Sequence, residues 1–353
     1  MKITVLAYRE KGAAELDAAI GQVNEALQAA GHQTTIVAIH SDLSELLAAF
    51  DKSRPDLVFN LVESFGDDIL GGQMGVAGIL DLLQLHYTGG GPGELYLQED
   101  KALAKKLLSY QGVLYPDYAT FMPGAELDTN LKLHMPLFVK PLRLDASLGI
   151  DERSVVKTKE ELKQRVLDIQ KKFGHAALAE EFIDGREFYV GVLGNESPVA
   201  LPPVEMDFSG LPEGSLRIMD NKAKFDESSE RYHGTRAVVV QNEPELIASL
   251  QKTALDAYRA LRVCDYGRID LRVGESGDIY VIEVNANCYL EKTSEFTLAA
   301  EAHGLDYLTL ISQIVDLASE RWRQRTTLRK RPRKRAAKGS KKSAAASATS
   351  SPT

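Results

Sequence analysis

Asp270 and Glu283 sit in the stretch GRIDLRVGESGDIYVIEVNAN, residues 267–287, where RIDLRV and IYVIEVN alternate with period two around the turn GESGD. That pattern predicts a β-hairpin. Pairing Val273 with Tyr280 sets Ile269 against Val284 and Leu271 against Ile282 on one apolar face. The other face then carries Asp270 opposite Glu283 and Arg268 opposite Asn285. Like charges directly opposed destabilise a sheet. A divalent cation between them turns that repulsion into a shared set of hard oxygen ligands, and Mg²⁺, which keeps waters and takes phosphate oxygens, suits so small a set. Asn285 adds a neutral oxygen, and Arg268 can grip a phosphate or carboxylate oxygen with two N–H groups. The same four residues would also make an ordinary polar network on an exposed face.

Further residues suit phosphate and nucleoside chemistry. In LFVKPLRLDASLGI, Lys140 ends an apolar strand and a small-residue loop with Ser147 and Gly149 follows. A lysine at such a junction can meet an anion whose oxygens the loop N–H groups cover, or it can lie on the surface with its stem on apolar neighbours. Lys101 opens a helix after Glu99 and Asp100 and is equally open to either role. In AEEFIDGREF, Glu180 and Glu181 end one strand and Glu187 begins the next. Such a hinge offers backbone groups to a base edge and a carboxylate to ribose hydroxyls.

The elements that must position these residues belong to an α/β chain. KITVLAY, TTIVAI and PDLVFNLVE read as strands alternating with the helices AAELDAAIGQVNEALQAAG, SDLSELLAAFDKS and GVAGILDLLQL. No G-x-G-x-x-G opens the first helix, which disfavours a dinucleotide. QEDKALAKKLLSYQG, a stretch near 158–173 and the run from Ser294 to Trp322 read as later helices. Two cysteines, Cys264 and Cys288, form neither a disulfide framework nor a zinc motif and suit a reducing cytoplasm, with Cys288 a buried, inert thiol. No apolar run approaches the roughly 20 residues of a membrane span. Net charge is −8, but the chain from Arg321 onward holds twelve Lys and Arg and no Asp or Glu. That segment reads as a disordered basic tail able to touch nucleic acid or an acidic surface.

In order and spacing, YTGGG, EDKALAKKLL, FVKPLRLDASLGI, EEFIDGREFYVGVLG, DNKAKF, GRIDLRV, IEVNAN and SEFTLAAEAHG resemble the ATP-grasp fold of D-alanine–D-alanine ligases and their relatives, from about residue 55 to 318. The resemblance implies a Rossmann-like N-terminal domain (1–95), central (96–185) and C-terminal (186–320) ATP-grasp subdomains, and the tail (321–353). It implies a cytoplasmic ATP-dependent carboxylate–amine ligase working through an acylphosphate. Two Mg²⁺ ions (Mn²⁺ as the alternative), small amino-acid-like substrates and a homodimer go with it. Asp270, Glu283 and Asn285 would then hold the metal, Lys101 and Lys140 the phosphates, and Lys224 the γ-phosphate. Glu180, Glu181 and Ile183 would line the adenine pocket, with Glu187 on the ribose. Arg268 would stabilise the oxyanion, Ser147 would lie in the closing loop, and Ser294 would contact the acceptor carboxylate.

Departures from the family pattern fall in the amino-acid pockets. LAYREKGAAE stands where a Gly-Gly-x-Ser stretch and an ammonium-gripping Glu belong, and VESFGDD puts Glu63 near a histidine's place. ANCYLE replaces Ser-Pro-Gly-Met-Thr, so Tyr289 takes a glycine's position, and Phe225 follows Lys224 where a tyrosine is usual. These changes imply either altered substrates, as in an amino-acid or peptide-tailoring ligase, or a non-catalytic ATP-binding protein with a nucleic-acid-binding tail.

Overall fold

A computed structural model describes residues 1–66, 71–129, 131–144 and 147–330. Asp67 and Asp68 of VESFGDD, Asp145 and Ala146 of the loop after Lys140, the Phe225 side chain and the tail from Arg331 lie outside the described residues.

The chain opens with β1 (Lys2–Tyr8), α1 (Ala18–Ala29), β2 (Gln33–Ile39), α2 (Leu43–Lys52), β3 (Leu57–Leu61) and α3 (Gly72–Leu82). The strands form a parallel sheet in the order β2-β1-β3. Ile3, Val5 and Ala7 of β1 face one way and meet Ile20, Val23 and Leu27 of α1. Leu6 faces the other way, into a cluster with Leu46, Phe50, Val76 and Leu80. Central parallel strands are covered on both faces, which is why KITVLAY is buried almost throughout.

Next come α4 (Pro92–Glu99) and α5 (Lys101–Tyr110); Asp100 accepts from Leu103 N at 3.0 Å and caps α5, so that Lys101 opens it as expected. A second sheet comprises β4 (Tyr118–Phe121), β5 (Leu137–Pro141), β6 (Val155–Val156) and β7 (Ala177–Glu181), in the order β4-β7-β5-β6, backed by α6 (Lys159–Phe173). α5 bridges the regions assigned to separate subdomains. Ala104 and Leu108 join the C-terminal core, while Ala102 packs against Leu142 and Leu178 of the central sheet region.

The remainder is β8 (Gly185–Leu193), β9 (Val199–Ala200), β10 (Val204–Asp207), α7 (Asn221–Phe225), α8 (Glu230–His233), β11 (Arg236–Val239), α9 (Pro244–Ala260), β12 (Tyr266–Gly274), β13 (Ile279–Ala286), α10 (Glu295–Ala302) and α11 (Tyr307–Lys330). The third sheet runs β11-β10-β8-β12-β13, with β9 beside β8. Phe188, Val190, Ile269, Leu271, Val281 and Val284 pack with Leu250, Ala254 and Ala257 of α9. Because side chains alternate along a strand, the opposite face is left to Glu187, Tyr189, Arg268, Asp270, Arg272, Glu283 and Asn285.

Two expectations are corrected. The hairpin register holds at the far end, where Asp270 pairs with Glu283 and Arg268 with Asn285, but Leu271 pairs with Val281 and Val273 with Ile279. Gly274 N donates to Asp278 O at 3.0 Å, so the turn has three residues, with Gly277 at φ 85° in the left-handed position such a loop needs. That sets a register one residue short, and a bulge at Ile282 restores it before the carboxylates. The second correction concerns the tail, which begins later than Arg321. α11 continues to Lys330, with Arg321 and Trp322 buried.

Arg321 explains that continuation. Its Nε and Nη2 lie 2.9 and 2.7 Å from the carboxylate of Asp265, which is fully buried, and Nη2 also donates to Tyr87 O and Gly89 O. Asp265 accepts from Gly89 N at 2.8 Å, while Asn287 Oδ1 accepts from Gly90 N at 2.7 Å. YTGGG is thereby pinned two residues from Asn285. A Cβ on Gly89 would meet Asn287 Oδ1 at 1.9 Å, so the close approach needs glycine.

Candidate active site

Both carboxylates of the hairpin have cationic partners. Arg268 holds Asp270 with two N–H groups, at 2.7 and 2.9 Å, and its guanidinium lies 4.5 Å from the ring centre of Tyr189. Asn285 Nδ2 also donates to Asp270 Oδ2, at 3.2 Å. Glu283 meets Lys101 Nζ at 2.9 Å, and the same Nζ donates to Leu144 O at 2.9 Å. Burial raises the pKa of Asp270 from its ordinary value; Arg268 and Lys224 pull it down and Glu283 pushes it further up. Burial also raises that of Glu283, but Lys101, Lys140 and Lys224 outweigh it and hold the group at about 2. Opposed charges therefore survive in the hairpin because lysines from α5, β5 and α7 converge on one of them.

A second knot lies on the central sheet. Glu180, 2% exposed, is gripped by Lys105 at 2.7 Å and Lys140 at 2.8 Å. Burial depresses the Lys105 pKa, and Glu180 opposes that shift. At the hinge between β7 and β8, Glu187 accepts from Arg272 at 2.7 Å and from the Tyr189 hydroxyl at 3.0 Å. Ile183 O accepts from Arg272 Nη1 at 2.8 Å. Ser147, at φ 56°, donates from Oγ to Met219 O at 3.0 Å, tying the loop after β5 to the segment before α7.

These contacts bring together Lys101, Lys140, Glu180, Ile183, Glu187, Arg268, Asp270, Glu283 and Asn285, with Ser147 and Lys224 at the margin. Glu181 is not among them. Its carboxylate turns to the backbone N–H and ring of His134, both at 2.8 Å, because it falls on the opposite face of β7 from Glu180. Glu180 is spent on two lysines, so its side chain does not stand open to a base.

The expected amino-acid pocket is a separate cluster. The Tyr289 hydroxyl donates to both carboxylate oxygens of Asp17, the N-cap of α1, at 2.9 Å each. Gln22 of α1 reaches Glu291 Oε1 at 3.1 Å and accepts from Lys292 N at 2.7 Å. Burial raises the Tyr289 pKa, with the charges of Asp17, Glu291 and Glu63 adding to it. Ser294 caps α10, its hydroxyl engaged with Thr297 and Tyr289 O, so the helix start already uses the group expected to contact a carboxylate. Cys288 is buried, and that burial pushes its thiol pKa up, as expected of an inert cysteine.

Sequence reasoning missed Lys105, Arg272 and Asp17. The first two were within reach of periodicity: Lys105 is one helical turn after Lys101, and Arg272 is two residues after Asp270 on the same strand face. Asp17 needed the tertiary fold.

The donors suit a hard divalent cation. No group of three or more His, Cys, Asp or Glu occurs among the described residues that could hold a metal. The hairpin offers two carboxylates and one amide oxygen, leaving most coordination positions to phosphates and water, as Mg²⁺ prefers.

Residues 107–316 match the family model described as the D-ala D-ala ligase C-terminus. An uncharacterized protein of Sinorhizobium fredii is 32% identical over 84% of this chain and 86% of its own length. A D-alanine–D-alanine ligase of Aquifex aeolicus is 29% identical over 89% of this chain and its whole length. The crystal structure of the Bacillus anthracis D-alanine–D-alanine ligase complexed with ATP superposes with a TM-score of 0.72 at 21% identity, covering 92% of this chain and 99% of that one. No helix among the described residues is long and apolar enough to cross a membrane.

Proposed function

This chain belongs to the D-alanine–D-alanine ligase family, and from that premise we propose how its residues carry out the ATP-dependent joining of a carboxylate to an amine. The observation that carries the proposal is the pairing of Asp270 with Glu283, with Asn285 beside them, on the polar face of a sheet ringed by lysines.

Bound ATP and its divalent metal supply a transferable phosphoryl group and the charge that activates it. Asp270, Glu283 and Asn285 would hold the metal, two Mg²⁺ ions in our reading with Mn²⁺ able to replace them. Lys101, Lys140 and Lys224 neutralise charge on the phosphates, which is the larger part of catalysing such a transfer. Ile183 O and Glu187 accept from the base and ribose. Ser147 closes the loop across the cleft, which excludes water. Arg268 would stabilise an oxyanion, with Asp270 holding its guanidinium. Glu63, Tyr289 and Ser294 line the substrate side, and the enzyme works in the cytoplasm as a dimer.

Substrates other than D-alanine are favoured by Tyr289, whose ring and bond to Asp17 fill space beside the start of α1. Tyr289→Gly is expected to change acceptor preference while leaving the KM for ATP within a few-fold, since a pocket's shape discriminates small groups by roughly 1–3 kcal/mol. ADP release measured over D- and L-amino acids and small hydroxy acids, for wild type and mutant, tests both points. Strong wild-type D-alanyl-D-alanine synthesis with an unaltered mutant profile would refute the reading of Tyr289. ATP turnover stimulated by no pair would refute the ligase assignment.

A further inference from the structure

Arg272 has no role in the reaction as described, yet it is tied to the residues assigned to the nucleoside. It is 5% exposed. Its Nη1 donates to Ile183 O at 2.8 Å, its Nε and Nη2 reach Glu187 Oε2 at 3.2 and 2.7 Å, and Nη2 also donates to Arg217 O. Its guanidinium carbon lies 5.2 Å from the ring centre of Phe182, which is itself stacked with Phe138 at 6.4 Å. A guanidinium is planar, carries a fixed fork of donors and stacks on aromatic faces.

A purine nucleoside asks the hinge for three things: a flat surface to lie on, a carbonyl to accept from its amino group, and a carboxylate to accept from its ribose. Phe182, Ile183 O and Glu187 can supply them, and Arg272 engages all three at once. We propose that Arg272 is a built-in occupant of the purine pocket, which a purine nucleoside triphosphate must displace, and that it thereby sets the affinity of the site for nucleotide. The inference rests on the reading of the β7–β8 hinge as the base site.

A ligand that binds only the open form has its affinity lowered by the fraction of molecules that are open. Removing the occupant therefore strengthens binding, whereas removing an ordinary structural clamp leaves it the same or weakens it. ATP binding to the full-length protein, measured by calorimetry with Mg²⁺ and no amino-acid substrate, decides between them. Arg272→Met is expected to tighten ATP binding by about tenfold, the effect of a pocket open about a tenth of the time, and to leave binding of inorganic tripolyphosphate unchanged. Arg272→Lys keeps a charge for Glu187 but loses the planar fork, and should tighten ATP in the same direction. It carries the test if Arg272→Met does not fold. Phe182→Ala, which removes the stacking surface, should weaken ATP binding.

If Phe182→Ala weakens ATP binding but neither Arg272 variant strengthens it, Arg272 is a clamp and the proposal fails. Equal tightening of tripolyphosphate and ATP also overturns it, because the effect would not lie in the base pocket. If Phe182→Ala leaves ATP affinity unchanged, the base does not bind at this hinge, and the site reading falls with the proposal.

Discussion

Glu283→Gln is expected to lower turnover by about two to three orders of magnitude, the loss seen when one preorganised electrostatic group is removed from a transferring centre. The substitution keeps the size of the side chain and its place opposite Asp270. It removes one of two carboxylates available to the metal and takes from Lys101 the anionic partner that lies 2.9 Å from its Nζ. Like-charge repulsion by itself predicts that the mutant is more stable. The structure reverses that sign, because Lys101, Lys140 and Lys224 hold Glu283 at about 2 against the 4.5 of a free glutamate. The ionised form therefore contributes stability, roughly 2–3 kcal/mol after allowance for its 24% exposure. Since the folded-state value is depressed, that contribution is present above pH 4.5 and is lost as the pH falls toward 2. Urea titrations without metal or nucleotide should show wild type and mutant separated at neutral pH and converging below about pH 4. Turnover is measured well below the mutant's melting temperature, and Mg²⁺-dependent turnover at the wild-type rate would refute the metal assignment.

Arg321→Met should destabilise the protein by about 3–5 kcal/mol, as expected when one partner of a buried ion pair is removed. Asp265 would keep Gly89 N and the Asn195 side chain as donors but would remain a buried anion without its cation. Gly89 O and Tyr87 O would also lose a donor, though Tyr87 O keeps the indole N–H of Trp322 at 2.8 Å. A chain ending at Lys330 should retain wild-type stability and ADP release, whereas one ending at Glu320 should lose both. An equilibrium unfolding change below about 1 kcal/mol for Arg321→Met, the worth of a surface pair, would place this ion pair outside the core.

The hairpin was legible because alternation fixes the face of each strand residue, and the carboxylate pair fell where it was expected. The bulge at Ile282 was not, since pairing Val273 with Tyr280 leaves six residues in the turn and pairing it with Ile279 leaves five, and GESGD reads alike in both. Lysines 101 and 140 were recognisable by position, but their partners were not: Glu180 and Glu283 each had several cations within reach of the fold. Arg321 was counted with the basic tail, although the helical run reaches Trp322, because composition weighs charge over a window. It cannot see that one arginine has a buried aspartate waiting 56 residues earlier in the chain. The direction of the Glu181 side chain, toward His134, was not legible from composition, but follows from alternation, since consecutive strand residues face opposite ways.

The path of α11 bears on how the protein is made. Ile311, Ile314, Val315 and Ala318 cover the same face of the N-terminal sheet that Ile3, Val5 and Phe59 present. The strands of that sheet are complete by Leu61, whereas the helix that seals it begins at Tyr307. At about 5–20 residues per second, a ribosome needs roughly 12–50 s to travel that far. For that interval the N-terminal sheet stands with apolar strand surface only partly covered by α1. The nascent chain is thus exposed to aggregation at this sheet and suited to a holding chaperone there. Substitutions such as Ile314→Asp should then appear in cells as insoluble N-terminal sheet rather than as a defective active site.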